Sequence, residues 1–351
     1  MNEKKHLFFI DDLRIWAIGA VLLQHSATYY IEGSYGNIQV ANIFKGITRW
    51  NILLFIFISG YLLLGREISI KKVFKKYIYR IIIVFCAWSG LYSALNFIMN
   101  KEGIVTIEKI ESLIGDFVVG GTNRLWYLVL LVGLYLCIPI ISTWLRNSSE
   151  NEQRYCLFIL GIICSVLPTL NLVRPINTLL GLNFQRISLV FPGIYIFYFI
   201  LGGGGYTKSW SMLGGGILKS ASQVLKQYKI VIVSCGIFST IIMGYIHYKL
   251  NQSTLDVNIV FNVFCVLALY SFYFERKGVM QSVKKNIGEC VFGIYLIHTL
   301  IQYVFQYCGL ENILFEFPVV GGILVYCIAL FGVSYILIYY LRKTKIGRMI
   351  T

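Results

Sequence analysis

DDLRIWAIGAVLLQH, residues 11–25, is the stretch whose reading decides the fold. Two acids and an arginine lead into apolar residues, and a histidine closes it. HLFFI precedes it and SATYY follows, so residues 7–30 read as one helix long enough to cross a bilayer, which takes about 20 apolar residues. Ionisable groups in lipid cost about 2.5–3.5 kcal/mol each, so Arg14 and His25 need a reason to be there. They stand about 16 Å apart along the axis, roughly three turns, and therefore point the same way. Asp11 lies one turn before Arg14 on that face, placed to pair with it. The stripe must face other helices or a water-filled cavity. A lone buried histidine is ordinarily a satisfied core residue. One that shares a helix face with an aspartate and an arginine reads as functional, and its side chain suits proton abstraction near neutral pH.

Composition assigns the class. Of 351 residues 57% are hydrophobic and only 13% charged, and mean hydropathy is +0.71. A soluble domain carries about 25% charged residues. The expectation is an all-α polytopic membrane bundle, a single transmembrane domain over residues 1–351, with ten helices near 7–30, 44–64, 77–99, 125–145, 155–173, 187–206, 229–248, 258–275, 287–307 and 318–341. The first run is too long for a signal-peptide core and no small-residue cleavage site follows it, so helix 1 is expected to stay in the mature protein.

The formal charge of +15 is a topology signal. With the N-terminus in the cytoplasm, 22 of the 31 lysines and arginines fall on inner segments and 8 on outer ones, with Arg14 inside helix 1. This inner excess follows the positive-inside rule and sets both termini in the cytoplasm. It argues against nucleic acid as a partner and for membrane lipid. The nine cysteines form no CxxC pair, so neither disulfide nor metal chemistry is indicated. GGGG (202–205) and GGG (214–216) lack the strand–helix context of a phosphate loop and read as a flexible connector. No internal repeat is visible, which weakens a transporter built from inverted halves.

Four segments in order now carry a resemblance. Asp11 with LRIWAIGAVLLQH resembles the D-x-x-R-x10-H opening of the membrane acyltransferase-3 family. FIFISGYLLL (55–64), RLWYLVLLVGLY (124–135) and GECVFGIYLIH (288–298) are similar to its later motifs. The resemblance implies an integral membrane enzyme of the cell membrane that passes an acyl group, usually acetyl from acetyl-CoA, to a hydroxyl of an extracytoplasmic envelope glycan or glycolipid. It implies an essential His25 and an important Arg14, and no metal. Two departures stand out. Arg124 occupies the place where the family often has a histidine, and arginine is no base at neutral pH, so an anion-binding role survives there. The family's inner R-x-x-R pair is replaced by Lys72, Lys75, Lys76 and Arg80, with Tyr77 three before Arg80.

That basic segment suits the phosphates of coenzyme A, and it equally suits ordinary inner charge. Arg80, one turn into helix 3, is the member favoured for the donor. The pantetheine arm would carry the thioester along the Arg14–His25 stripe. There His25 either deprotonates the acceptor or briefly takes the acyl group itself. On the acceptor side stand Arg124, Trp126 and Tyr127, where stacking on a sugar and an interfacial aromatic belt both fit. Arg174 and Arg186, in one outer loop, are weaker candidates for an anionic acceptor. His298 either lines the cavity of His25 or bonds a neighbouring helix, with Glu289 nearer the inner end of that helix. His247, beside Tyr245 and Tyr248, reads as interfacial, and His6 as solvated. A transporter or flippase of an envelope precursor would also need a polar stripe. An acyltransferase-like fold serving uptake or sensing is less favoured, because a fused domain is not expected from residues 1–351.

Overall fold

Inside a bilayer a backbone has only itself to bond to, so long apolar runs become helices. The computed structural model describes residues 7–33, 36–99, 107–121, 124–170, 193–203, 227–250, 259–274 and 280–351, and every regular element among these is helical. In order they are α1 (Phe8–Glu32), α2 (Ile38–Ile47), α3 (Asn51–Leu63), α4 (Ile70–Lys72), a π-helical turn (Val73–Ile78) and α5 (Tyr79–Met99). Then come α6 (Ile107–Val118), α7 (Trp126–Leu136), α8 (Ile138–Asn147), α9 (Glu150–Gly161), a second π turn (Ile162–Val166) and α10 (Leu167–Leu170). The rest are α11 (Ile194–Gly203), α12 (Lys229–Leu250), α13 (Val260–Tyr273), α14 (Gln281–Tyr307), α15 (Leu310–Phe315), α16 (Val319–Leu341) and α17 (Lys345–Ile350).

A helix stands at each of the ten expected segments, but fewer meet the demands of a crossing by themselves. Among the described residues six helical runs are long and apolar enough: 38–63, 70–98, 150–170, 229–249, 281–307 and 319–341. A seventh counts if α7 and α8, bent by 46°, form one span. The exceptions have physical causes. Asp11, Asp12 and Arg14 lower the apolar content of α1, while α11 and α13 are short within the described residues. The candidates Arg174 and Arg186, the glycine runs beyond Gly203, and His6 lie outside the described residues.

The interruptions trace to particular side chains. Pro168 has no N–H and its ring crowds the carbonyl four residues back, and the chain answers with the wider π turn just before it. Pro139 does the same at the α7–α8 bend. Between α2 and α3, Thr48 Oγ1 donates to the Phe44 carbonyl at 2.6 Å and Trp50 Nε1 to that of Ile47 at 2.8 Å. These side chains occupy carbonyls that a continuing helix would use.

The chain divides into two units: residues 1–67, 141–289 and 311–328, and residues 68–140, 290–310 and 329–351. In the first, α1 packs on α2, α3 and α13, and α12 pairs with α13 and with α2. The contact of α3 with α11 is backbone to backbone. A Cβ at Gly60 would sit 1.9 Å from the Phe199 carbonyl oxygen, and one at Gly202 would sit 2.0 Å from that of Phe57. Such approaches drive helix association where lipid offers no hydrophobic incentive. In the second unit α5 packs with α6, α7 and α17.

Candidate active site

The first unit holds the polar stripe of α1. Arg14 Nη1 lies 3.6 Å from Asp11 Oδ1, with the aspartate buried and the arginine side chain one-third exposed. Asp11 is pressed against α14, where a Cβ on Gly288 would fall 2.6 Å from Asp11 Oδ1. The first glycine of the GECVFGIYLIH segment thus makes room for the carboxylate that holds Arg14. Next to it the buried Asp12 accepts a 2.6 Å ion pair from Lys284 Nζ. The acidic start of α1 is therefore docked on the start of α14 by two carboxylates.

His25 sits three turns further on. The residue is exposed, between the buried Leu22, Ser26 and Ala27. The adjacent Gln24 accepts a 2.6 Å hydrogen bond from Asn51 Nδ2 at the start of α3, which fixes the rotation of α1 at this level.

Sequence reading missed the cations here. Lys45, one of the eight cations assigned to outer segments although the expected helix at 44–64 begins just before it, lies well inside the run 38–63. It is only 7% exposed, and its charge acts on His25 and on His247, with Arg49 and Glu32 also in electrostatic range. His247, expected above to be interfacial, is fully buried in the protein. It donates from Nδ1 to the Met243 carbonyl at 2.9 Å and is stacked against Gly46 of α2. The signal available beforehand was the pairing of Lys45 with Gly46, a cation beside a helix-contact residue.

The second unit holds the remaining candidates in two groups. Lys72, Lys75, Lys76 and Arg80 are exposed along α4, the π turn and α5, and the wider π turn fans the lysines over one end of the run. Lys76 lies 5.9 Å from the Tyr77 ring centroid. Arg80 Nη2 donates to the Thr351 carbonyl at 3.0 Å, and Trp88 Nε1 to that of Ile350 at 2.8 Å, so α17 is held against α5.

Arg124 anchors the other group. Its guanidinium lies 4.8 Å from the Tyr303 ring and 5.5 Å from that of Tyr92, and its Nη1 donates to the Gly121 carbonyl at 2.6 Å. Gly121 has φ +63° and a Cβ there would strike Tyr92, so the turn that presents Arg124 needs glycine. Tyr127 meets Tyr295 edge to face at 5.4 Å, and Tyr295 lies 5.9 Å from His298. His298 is 3% exposed and donates from Nδ1 to the Tyr295 carbonyl of its own helix at 2.6 Å. Trp126 is 39% exposed beside the buried Tyr127. Tyr295 Oη donates to the Arg124 carbonyl at 3.3 Å, which joins the two sets of side chains.

No group of three or more metal-ligating side chains occurs among the described residues. Compared with known proteins, the chain matches a family model described as an acyltransferase domain over residues 7–339. No curated protein and no solved structure matches it.

Proposed function

Because the chain belongs to the acyltransferase-3 family and is an integral membrane acyltransferase, we propose that it moves an acyl group, acetyl in the first instance, from cytoplasmic acyl-CoA to a hydroxyl of an extracytoplasmic envelope glycan or glycolipid. The observation that carries this is the Asp11–Arg14 pair with the exposed His25 three turns along the same helix face. The arrangement has ten crossings and both termini in the cytoplasm. For the donor's phosphates we assign Arg80, Lys76, Lys75 and Lys72, and for its thioester Arg14 and His25.

His25 then takes the acceptor's hydroxyl proton as the oxygen attacks the thioester carbonyl. The C–S bond breaks and the thiol departs with a proton. In the second route the ring nitrogen attacks first, the C–S bond breaks and the coenzyme A thiol leaves, giving an acyl-imidazole; the hydroxyl oxygen then attacks its carbonyl, the C–N bond breaks and the imidazole keeps the hydroxyl's proton. In both, negative charge develops on the thioester oxygen, and the nearby Lys45 supplies a compensating charge. Arg124, Trp126, Tyr127 and His298 serve the acceptor, the guanidinium toward anionic groups and the exposed indole toward a sugar face. This explains the cost accepted in helix 1: its ionisable groups line the donor passage rather than face lipid.

The test is ester-linked acetate on the envelope glycans of a deletion strain complemented with wild type, His25→Ala or Arg14→Lys at equal membrane levels. Wild type restores the ester, His25→Ala does not, and Arg14→Lys is impaired. Full restoration by His25→Ala would make His25 a packing residue and end the mechanism. An unchanged ester content with wild type would favour the transport reading.

A further inference from the structure

The face of α1 turned away from Arg14 and His25 borders a second feature. Ile15, Trp16, Gly19, Ala20 and Leu23 lie about half a turn round from the polar stripe. With the α2–α3 break, α12 and α13 they enclose a half-open groove of about 530 Å³. Its wall has no use for a polar guest. Trp16 Nε1 donates to Tyr273 Oη, Trp50 Nε1 and Thr48 Oγ1 to backbone carbonyls, and Thr240 Oγ1 to the Gly236 carbonyl at 2.9 Å. Cys265 Sγ also rests on that carbonyl at 3.7 Å. With these groups engaged inside the protein, what the wall offers is hydrocarbon.

The two ends differ. At one, the α2–α3 break closes over the groove with Ile47 and Trp50. At the other, Lys229 Nζ sits 5.5 Å from the ring of Phe272, a lining residue, and donates to its carbonyl at 3.2 Å. Beside it the Trp16–Tyr273 pair completes the lip. Tryptophan, tyrosine and lysine together are the set found where hydrocarbon meets headgroups. From Trp16 to Leu23 the groove runs about 10 Å along α1, within the depth of one leaflet, about 15 Å.

We propose that this groove is a binding site for one anionic glycerophospholipid, an acyl chain lying between α1, α12 and α13 and the phosphate on Lys229. The site is separate from the acyl-transfer machinery and does not depend on it. Its occupant lies against the back of the helix that carries His25, so that an empty groove leaves α1 without packing on this face.

The experiment uses the full chain in phosphatidylcholine vesicles containing a minor fraction of phospholipid with brominated chains, which quench Trp16 and Trp50. Brominated phosphatidylglycerol should quench more than brominated phosphatidylcholine at the same fraction. Gly19→Leu fills the groove, since a Cβ at Gly19 meets nothing within 4 Å, and should remove the excess quenching. Lys229→Gln should lower the headgroup preference by about fivefold while quenching by the chain persists. Equal quenching by both lipids in the wild type would leave only an ordinary lipid annulus and overturn the proposal. Unchanged excess quenching in Gly19→Leu would also overturn it. If Gly19→Leu does not fold, Lys229→Gln decides alone, because an intact preference removes the phosphate from Lys229. Displacement of the brominated lipid by an equimolar polyisoprenyl phosphate would reassign the groove to a lipid-linked glycan.

Discussion

At the scale of residues, the informative side chains are charges whose surroundings would not tolerate them unpaired. Lys284 holds the buried Asp12 at 2.6 Å, and Asp12 Oδ2 has no partner of its own among the described residues. Lys284→Met should therefore destabilise the protein by about 3 kcal/mol. Adding Asp12→Asn should recover part of the loss, read as thermal stability in detergent. Lys45 is a different case, because its charge faces the histidine rather than an acid. Lys45→Met should cut turnover about 100-fold with little change in KM for acyl-CoA, and Lys45→Arg should restore most of it. A steady-state assay of acyl-CoA consumption in proteoliposomes checks both variants. The Asp11–Arg14–His25 stripe was legible in the sequence because helical spacing alone puts three ionisable groups on one face. Lys45 was not. The run expected at 44–64 puts it at a helix end among the outer charges, whereas the helix starts seven residues before it at Ile38.

At the scale of elements, helices were legible and their interruptions were not. An apolar window reports that a segment is buried, but the choice between a straight helix, a π turn and a 46° bend rests on one proline or one hydroxyl. Pro168 and Pro139 were visible, but what neighbouring turns did to absorb them was not. The amphipathic α6 was missed for the opposite reason, since its polar face made the outer segment look like a loop. The π turn at Val73–Ile78 carries the donor prediction. Replacing Lys72, Lys75 and Lys76 together by glutamine should raise KM for acyl-CoA about tenfold and weaken its salt dependence, with kcat nearly unchanged. Were the lysines only a topology signal, the same change would lower membrane insertion and leave KM alone, so both quantities are measured on one preparation.

At the scale of the molecule, the proposed topology has a direct test. Ser148, between α8 and α9, falls on an inner segment, and Asn312, in α15, on an outer one. An impermeant thiol reagent should label Asn312→Cys in intact cells and Ser148→Cys only after permeabilisation, each in a background where the native cysteines are replaced. Labelling in the reverse order would turn the donor lysines away from the cytoplasm and sink the acyl-CoA route. Any such enzyme must also shift between taking a donor and releasing a product, and the reciprocal seat of Gly60 and Gly202 limits how. Each backbone occupies the only space the other leaves, so α3 and α11 can neither slide nor roll past one another. They act as a rivet, and whatever gate the reaction cycle needs must swing on joints other than this one.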